Sequence, residues 1–553
     1  MNFNSGYEKS ADIVFKNGVI FNPFTCEWLS EDFAVRDGVI LGTGPGYHGK
    51  KEIDLKSSHV TPGFIDAHVH IESSLLTPYE YARLVMQHGT TTVIADPHEI
   101  SNVCGTAGID YMLNAHGKQP LDILIMLPSC VPATPLDECA MTLTAESLRP
   151  FICRDGVIGL GEMMNVPGVL SHDPEVMEKL SLIPIRDGHA PSLTGHALDN
   201  YIFSGMQSDH ESVILDEGRE KLQKGMFLFI REGSTERNLK TLIPLVNACT
   251  AARCCFCTDD RHADMLFTDG HIDDCIRKSI DAGCEPEIAL RMATLSPADR
   301  FGLFDRGAIS PGRIADFCIL KDPGRCIVKR TYKKGNLVTA DQVKPVQSEL
   351  GGECPFNAKI PSPEEIRIAG SGKARVIRIQ EGQIGTRTEY IQLSADDIPD
   401  IKRDILKTVV VSRYHPGKPG VGLVSGFELK QGAIAASVSH DSHNIIAVGT
   451  SDDDILKVIS KVIRHKGAMA ARNDTGEACL PLSVAGLMSE LPYEKVHDEL
   501  LKLHKVTQSS GAVRDPFMYL SFLALTVIPE IRITTKGVFD VNTFSHVPIF
   551  CEE

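Results

Sequence analysis

The chain has 553 residues, 42% of them hydrophobic and 23% charged, an ordinary globular composition long enough for two to four domains. A formal net charge of −16 repels phosphate backbones and argues against a polymeric nucleic acid partner. No run approaches 18 apolar residues, so no membrane span is expected. The stretch "MNFNSGYEKSADIVF" lacks the basic segment and apolar run of an export signal. The expectation is a cytoplasmic protein whose 16 cysteines stay reduced. Cys254, Cys255 and Cys257, in "RCCFCTDD", lack paired CxxC spacing and read as small buried hydrophobes.

Residues 1–60 read as short strands and turns, with Asn17-Gly18 and Asp37-Gly38 as hairpin signals between apolar runs. That is the first part of a small β module, too small to hold a core alone. From 61 to 304 the texture changes. Eight apolar runs each end in a polar cluster: "HVTPGFIDAHVH", "TTTVIADPHEI", "LDILIMLPSCVPA", "GVIGLGEMMN", "LIPIRDGHA", "IFSGMQSDHE", "GMFLFIREGS" and "CCFCTDD". Helical stretches such as "TPYEYARLVMQHG" and "EGREKLQ" separate them. Continuous apolar strands alternating with helices predict a parallel sheet covered on both faces. Eight such units predict an α/β fold, a (β/α)8 TIM-like barrel, whose chemistry sits at the carboxyl ends of the strands. Residues 305–343, beginning "GAISPGRIADFCILKD", return to strand-like text and complete the small module as a β-sandwich built from the two segments flanking the barrel. Residues 344–365 are rich in Pro and Gly and read as a linker. Residues 366–553 mix strands ("GAIAASVSHDSHNIIAVGTS") with helices ("DDDILKVISKVIRHKG") and form a C-terminal α+β domain.

The strand ends carry the chemistry. In a strand, residues i and i+2 point the same way, so His68 and His70 present two nitrogens side by side. The fourth run ends in Glu162, the fifth in His189, the sixth in His210 and the eighth in Asp259. Four imidazoles and two carboxylates converging on one barrel mouth suit two divalent metal ions, with one carboxylate bridging them. Glu162 is placed to be that bridge. These ligand types suit Mn, Fe or Zn alike, with Mn or Fe the first expectation. Asp96, His98 and Glu99, at the second strand end, either orient ligand imidazoles from behind, bind an additional metal or form a structural network. Ser129, Arg231 and Glu232 are candidates for contacting a substrate from the third and seventh strand ends. His440, Asp441, His443 and Asn444 form a second cluster, which either closes over the barrel mouth or lies in a polar domain interface.

The motifs "PGFIDAHVHIESS", "ADPHEI", "GLGEMMN", "DGHAP", "SDHE" and "TDDRH", with "SHDSHNIIAVGTSDDD" and "VIPEIRIT" further on, resemble the adenine deaminase family of the amidohydrolase superfamily over nearly the whole chain. Many superfamily members bridge their metals with a carboxylated lysine on the fourth strand, where this chain, like that family, has Glu162. The resemblance implies that His68, His70 and Asp259 hold one metal and that His189 and His210 hold the other. It implies hydrolysis of adenine to hypoxanthine and ammonia by a metal-bridging hydroxide, with Asp259 as general base and then acid. It also suggests a homodimer. The alternatives are a deaminase of another amino-heterocycle such as N6-methyladenine, a cyclic amide hydrolase, and a non-catalytic barrel scaffold. The last would have lost metal ligands, and this chain keeps all six.

Overall fold

The computed structural model describes residues 10–343, 350–352, 354–380, 382–394 and 398–551. Part of the linker expected at 344–365 therefore lies outside the described residues. The strands flanking the barrel, from Ser10–Asn22 to His59–Pro62 and from Phe317–Asp322 to Asn336–Leu337, share one eight-stranded sheet. Phe33 and Phe317 stand three strands apart along that sheet, yet their ring centroids are 5.1 Å apart. Neighbouring strands are separated by about 4.8 Å, so the sheet must curl until its two halves face each other. Phe15, Phe33, Phe317 and Tyr332 fill the space between them.

One expected turn is corrected. Asn17-Gly18 is not a hairpin but lies inside the 13-residue strand Ser10–Asn22. The register slips there by one residue against the neighbouring strand, with Asn17 at φ 57°, a β-bulge. Asp37-Gly38 does turn between two strands, at φ 52° and 78°.

The eight runs become eight parallel strands: β1 (Phe64–Val69), β2 (Thr90–Ala95), β3 (Asp122–Leu127), β4 (Val157–Met163), β5 (Arg186–Gly188), β6 (Ser208–Asp209), β7 (Phe227–Arg231) and β8 (Cys254–Cys257). They pair in sequence order as one sheet of five and one of three. Asp259 joins β8 back to β1: its amide donates to the His68 carbonyl at 3.0 Å, and its carbonyl accepts from the His70 amide at 3.3 Å. At the β5–β6 seam the Gly188 amide donates to Ser208 Oγ at 3.4 Å. Ala67, Ile94, Leu124, Met126, Phe229, Cys255 and Cys257 pack together as one buried cluster, while Cys254 packs with helix residues such as Ile276 and Leu290 in another. That alternation is what period-2 side chains require. Burial pushes all three thiols up, as inert core cysteines. The expectation of wholly reduced cysteines is corrected at one pair: Cys104 and Cys354 form a disulfide.

Beyond the barrel, an eight-stranded sheet spans Ser371–Ile379 to Gly476–Pro481, with helix Asp452–Arg464 packed on it through Ile455, Val458, Ile459 and Val462. Its other residues, among them Ile377, Val410, Ile434 and Ile446, share one core cluster with Val69, Leu75 and Ile100 of the barrel. The C-terminal domain is therefore packed against the barrel mouth, not tethered beside it. Among the described residues no helix is long and apolar enough to cross a membrane.

Among the polar contacts that tie the two bodies together, the pair His504–Asp264 should respond to pH. His504, on helix Tyr493–Ser509, lies 2.9 Å from Asp264 Oδ2 on helix Ala263–Thr268. The hydrogen bond to Asp264 raises the His504 pKa above 6.5. Burial disfavours the Asp264 carboxylate, but His504 and His262 outweigh it and bring the carboxyl to about 2. A raised imidazole contributes fully below its unfolded value of 6.5 and loses that contribution as pH climbs through the folded value. A lowered carboxyl contributes above 3.8 and loses it as pH falls toward about 2. His504→Gln is expected to cost about 1 kcal/mol at pH 6 and less at pH 9. Thermal melts at the two pH values check this; equal losses at both would remove the ionic account.

Candidate metal centre

The carboxyl ends of the strands meet around Glu162. The carboxylate is 3% exposed and divides its two oxygens between two groups of imidazoles. Glu162 Oε1 lies 3.2 Å from His70 Nε2 and 3.8 Å from His68 Nε2. Glu162 Oε2 lies 2.6 Å from His189 Nδ1 and 3.3 Å from His210 Nε2. Asp259 Oδ1 faces His70 Nε2 at 3.0 Å and His68 Nε2 at 3.6 Å. All six expected ligands are thus brought together. Asp259 sits at φ 54°, in the left-handed region that Asp tolerates better than most residues, and this turns its carboxylate back over the end of β1.

The donor chemistry fits a cation. His70 Nδ1 is 2.9 Å from the Asp96 carbonyl, which can only accept, so Nδ1 carries the hydrogen. The lone pair of His70 Nε2 then points at His68 Nε2, 3.1 Å away, and at two carboxylate oxygens. Lone pairs converging at such distances need a positive charge among them, either a proton or a metal ion. Burial, then His210 and His70, hold the His68 imidazole well below its usual value, so it is neutral and ready to ligate. Burial opposes the charge on Glu162, yet His189, His210 and His70 outweigh it and hold the carboxyl well below the usual range. Against the same penalty, Arg231 and His70 hold Asp259 ionised.

The neighbours at the second strand end separate into distinct tasks. Asp96 Oδ2 accepts from the Glu162 amide at 2.9 Å, and its carbonyl fixes His70, so it positions two of the central groups from behind. This requires Gly161, because a Cβ there would stand 2.1 Å from Asp96 Oδ2. His98 Nδ1 is 3.6 Å from Glu162 Oε1, and its Nε2 is 3.3 Å from Glu99 Oε1. Glu99 turns to the C-terminal domain, its two oxygens bound by His440 Nδ1 and His443 Nε2. The second cluster of the sequence is therefore both a polar interface and a cover over the barrel mouth. Asn444, its last member, bonds Glu138 at 2.9 Å and the Arg413 amide at 2.9 Å.

Of the three candidate substrate contacts, Arg231 lines the central cavity, where Nη1 bonds both Glu211 and, at 2.5 Å, Asp259 Oδ2. Ser129 and Glu232 do not, which corrects that expectation. The Ser129 hydroxyl donates to the Glu162 carbonyl at 2.5 Å and the residue faces a neighbouring cavity beside Lys179. Glu232 pairs with Lys278 at 2.9 Å behind β7, because successive residues of an extended chain face opposite ways.

The space where these groups meet is a small cavity of about 30 Å³. Sequence reasoning passed over several of its walls. Glu211 and Asp260 stand next to His210 and Asp259, and adjacency was the available signal. Glu236 lies beyond β7; burial, with Asp260 adding to it, pushes its carboxyl up to about 7. Met164, Ile384, Phe522, Leu525 and Ile528 line the same space, and nothing in their spacing separates them from core residues.

Residues 59–338 match the amidohydrolase family and residues 383–545 match the adenine deaminase C-terminal domain. Adenine deaminase of Methanoculleus marisnigri is 58% identical over 94% of this chain and 100% of its own length. Adenine deaminase of Methanoregula boonei is 54% identical over 98% of this chain and 96% of its own. The chain belongs to the adenine deaminase family. Adenine deaminase 2 of Carboxydothermus hydrogenoformans, at 43% identity, covers 98% of it. Both halves of this adenine deaminase family member meet at the cavity, since the C-terminal residues Ile384, His440, Asp441, Phe522, Leu525 and Ile528 help to line it.

Proposed function

We infer that the chain hydrolyses adenine, adding water and releasing ammonia to leave hypoxanthine. The division of Glu162 between two imidazole groups carries the assignment of the centre, and relatives named adenine deaminase over nearly the full chain support the substrate. His68, His70 and Asp259 would hold one divalent ion, His189 and His210 a second, and Glu162 would bridge them. Bound there, two such ions supply Lewis acidity and make a water molecule acidic enough to act as nucleophile near neutral pH. Mn or Fe is the proposed pair, in a cytoplasmic homodimer.

The residues of the chain handle protons and orientation. Asp259, ionised and held by Arg231, takes a proton from the attacking water at its Oδ1. It returns that proton to the exocyclic nitrogen, since the amine leaves far more easily as neutral ammonia than as an amide ion. The C–N bond at ring carbon 6 breaks and the oxygen stays on the ring. Arg231 and Glu211 fix the Asp259 carboxylate so that this transfer needs no rearrangement. The apolar roof of Phe522, Leu525 and Ile528 keeps bulk water away.

Ammonia release from adenine by Mn- or Fe-loaded protein tests the reading, with adenosine, N6-methyladenine and dihydroorotate in parallel. Turnover of adenine, lost in His68→Ala and Asp259→Ala, is expected. Turnover of another amine without adenine would overturn the substrate.

A further inference from the structure

The cavity has two unlike sides. Its floor is the charged group around Glu162 and Asp259. Its roof comes from the C-terminal domain and is hydrocarbon and aromatic, apart from His440 and Asp441. His440 is already committed. Its Nδ1 bonds Glu99, its amide donates to the Ser521 carbonyl at 2.8 Å, and its ring stacks on Phe522 at 4.5 Å and 8°. Asp441 is not. It is 4% exposed and lines the cavity; Oδ1 is 3.9 Å from His98 Nε2, and Oδ2 has no hydrogen-bond partner. With Glu99 binding both His440 and His443, the loop that carries Asp441 is fixed at either side. A buried acceptor left without a donor is costly, and here its residue lines the cavity the substrate must enter.

Adenine presents a matching donor. Resting on the deaminase reading, its amine-bearing carbon must face the floor, where the C–N bond is broken. The edge carrying N3 and N9 is then turned toward the roof. In the free base N9 bears a hydrogen; in a nucleoside it bears the sugar. We propose that Asp441 is a substrate-binding residue that accepts the N9–H of the purine and so makes the site select free bases over 9-substituted purines. A site built around such a hydrogen bond rejects an analogue lacking it far more strongly than an apolar pocket rejects an extra methyl group.

The test uses the Mn-loaded full chain, with adenine as substrate and purine and 9-methylpurine as competing ligands. In the unaltered protein purine is expected to inhibit at least about 30-fold more tightly than 9-methylpurine. In Asp441→Ala the KM for adenine is expected to rise about 30- to 100-fold with kcat within threefold, and the preference for purine over 9-methylpurine to vanish. Asp441→Asn keeps an acceptor oxygen and the local shape, and should recover part of the preference. An unchanged KM, or equal weakening of purine and 9-methylpurine, would overturn the proposal, as would a fall in kcat and bound metal at constant KM. If the Ala variant fails to fold, the Asn variant decides by the same ratio. Absence of adenine turnover in the unaltered protein would instead count against the deaminase reading, a separate failure.

Discussion

Glu162→Gln is expected to lower adenine turnover by at least about 1,000-fold and to leave the protein holding one divalent ion or none instead of the two proposed. The carboxylate is buried, and each oxygen serves a different imidazole group. An amide of the same shape offers one acceptor and two N–H donors, so one of its ends must turn hydrogens toward lone pairs of His70 or of His189 and His210. The negative charge that four imidazoles and a cation pair require is removed with it. Metal content per chain, measured alongside ammonia release, separates this from a purely catalytic loss. Two retained ions with full activity would show that another group joins the metals.

Much of this site was legible because the barrel repeats one rule eight times. Each apolar run ends where the strand leaves the sheet, so a His, Glu or Asp near that end can be turned toward the mouth. That held even for β5 and β6, which are three and two residues long. The rule fails one residue further on: Glu232 follows Arg231 but pairs with Lys278 outside the cavity. It fails at β3 as well, where Ser129 turns its hydroxyl to a main-chain carbonyl. Asn17-Gly18 misled for a related reason, since its left-handed geometry serves a bulge as well as a turn and only the register of the paired strand decides. The roof was not legible at all. Phe522 and Leu525 arrive from over 250 residues away and look like any buried apolar pair until the C-terminal domain is docked.

What docks that roof is Arg532, and Arg532→Met is expected to have the second large effect. The side chain is fully buried, and its guanidinium donates to four main-chain carbonyls: Ile528 at 2.6 Å, Phe522 at 2.9 Å, and Ile384 and Pro529 at 3.0 Å each. Three of those residues, Phe522, Ile528 and Ile384, line the cavity. One planar cation with donors in a fixed fork thus ties together segments that only tertiary contact brings near. Methionine fills the volume but leaves the Ile528 and Ile384 carbonyls without a donor, while the Phe522 and Pro529 carbonyls keep the Leu525 and Thr386 amides at 3.3 Å and 3.2 Å. Each orphaned carbonyl costs about 1–3 kcal/mol before relaxation, so a loss of more than about 2 kcal/mol is expected in all. The KM for adenine should rise, because the loosened segments form the roof, while metal content should not change, since Arg532 touches none of the proposed ligands. Arg532→Lys has three donors on a single nitrogen and cannot reach all four carbonyls, so it should fall between the two. Thermal melts and KM are the measurements. A methionine variant with the original melting temperature and KM would mean that the roof holds its shape by apolar packing alone, and that the buried guanidinium is incidental to it.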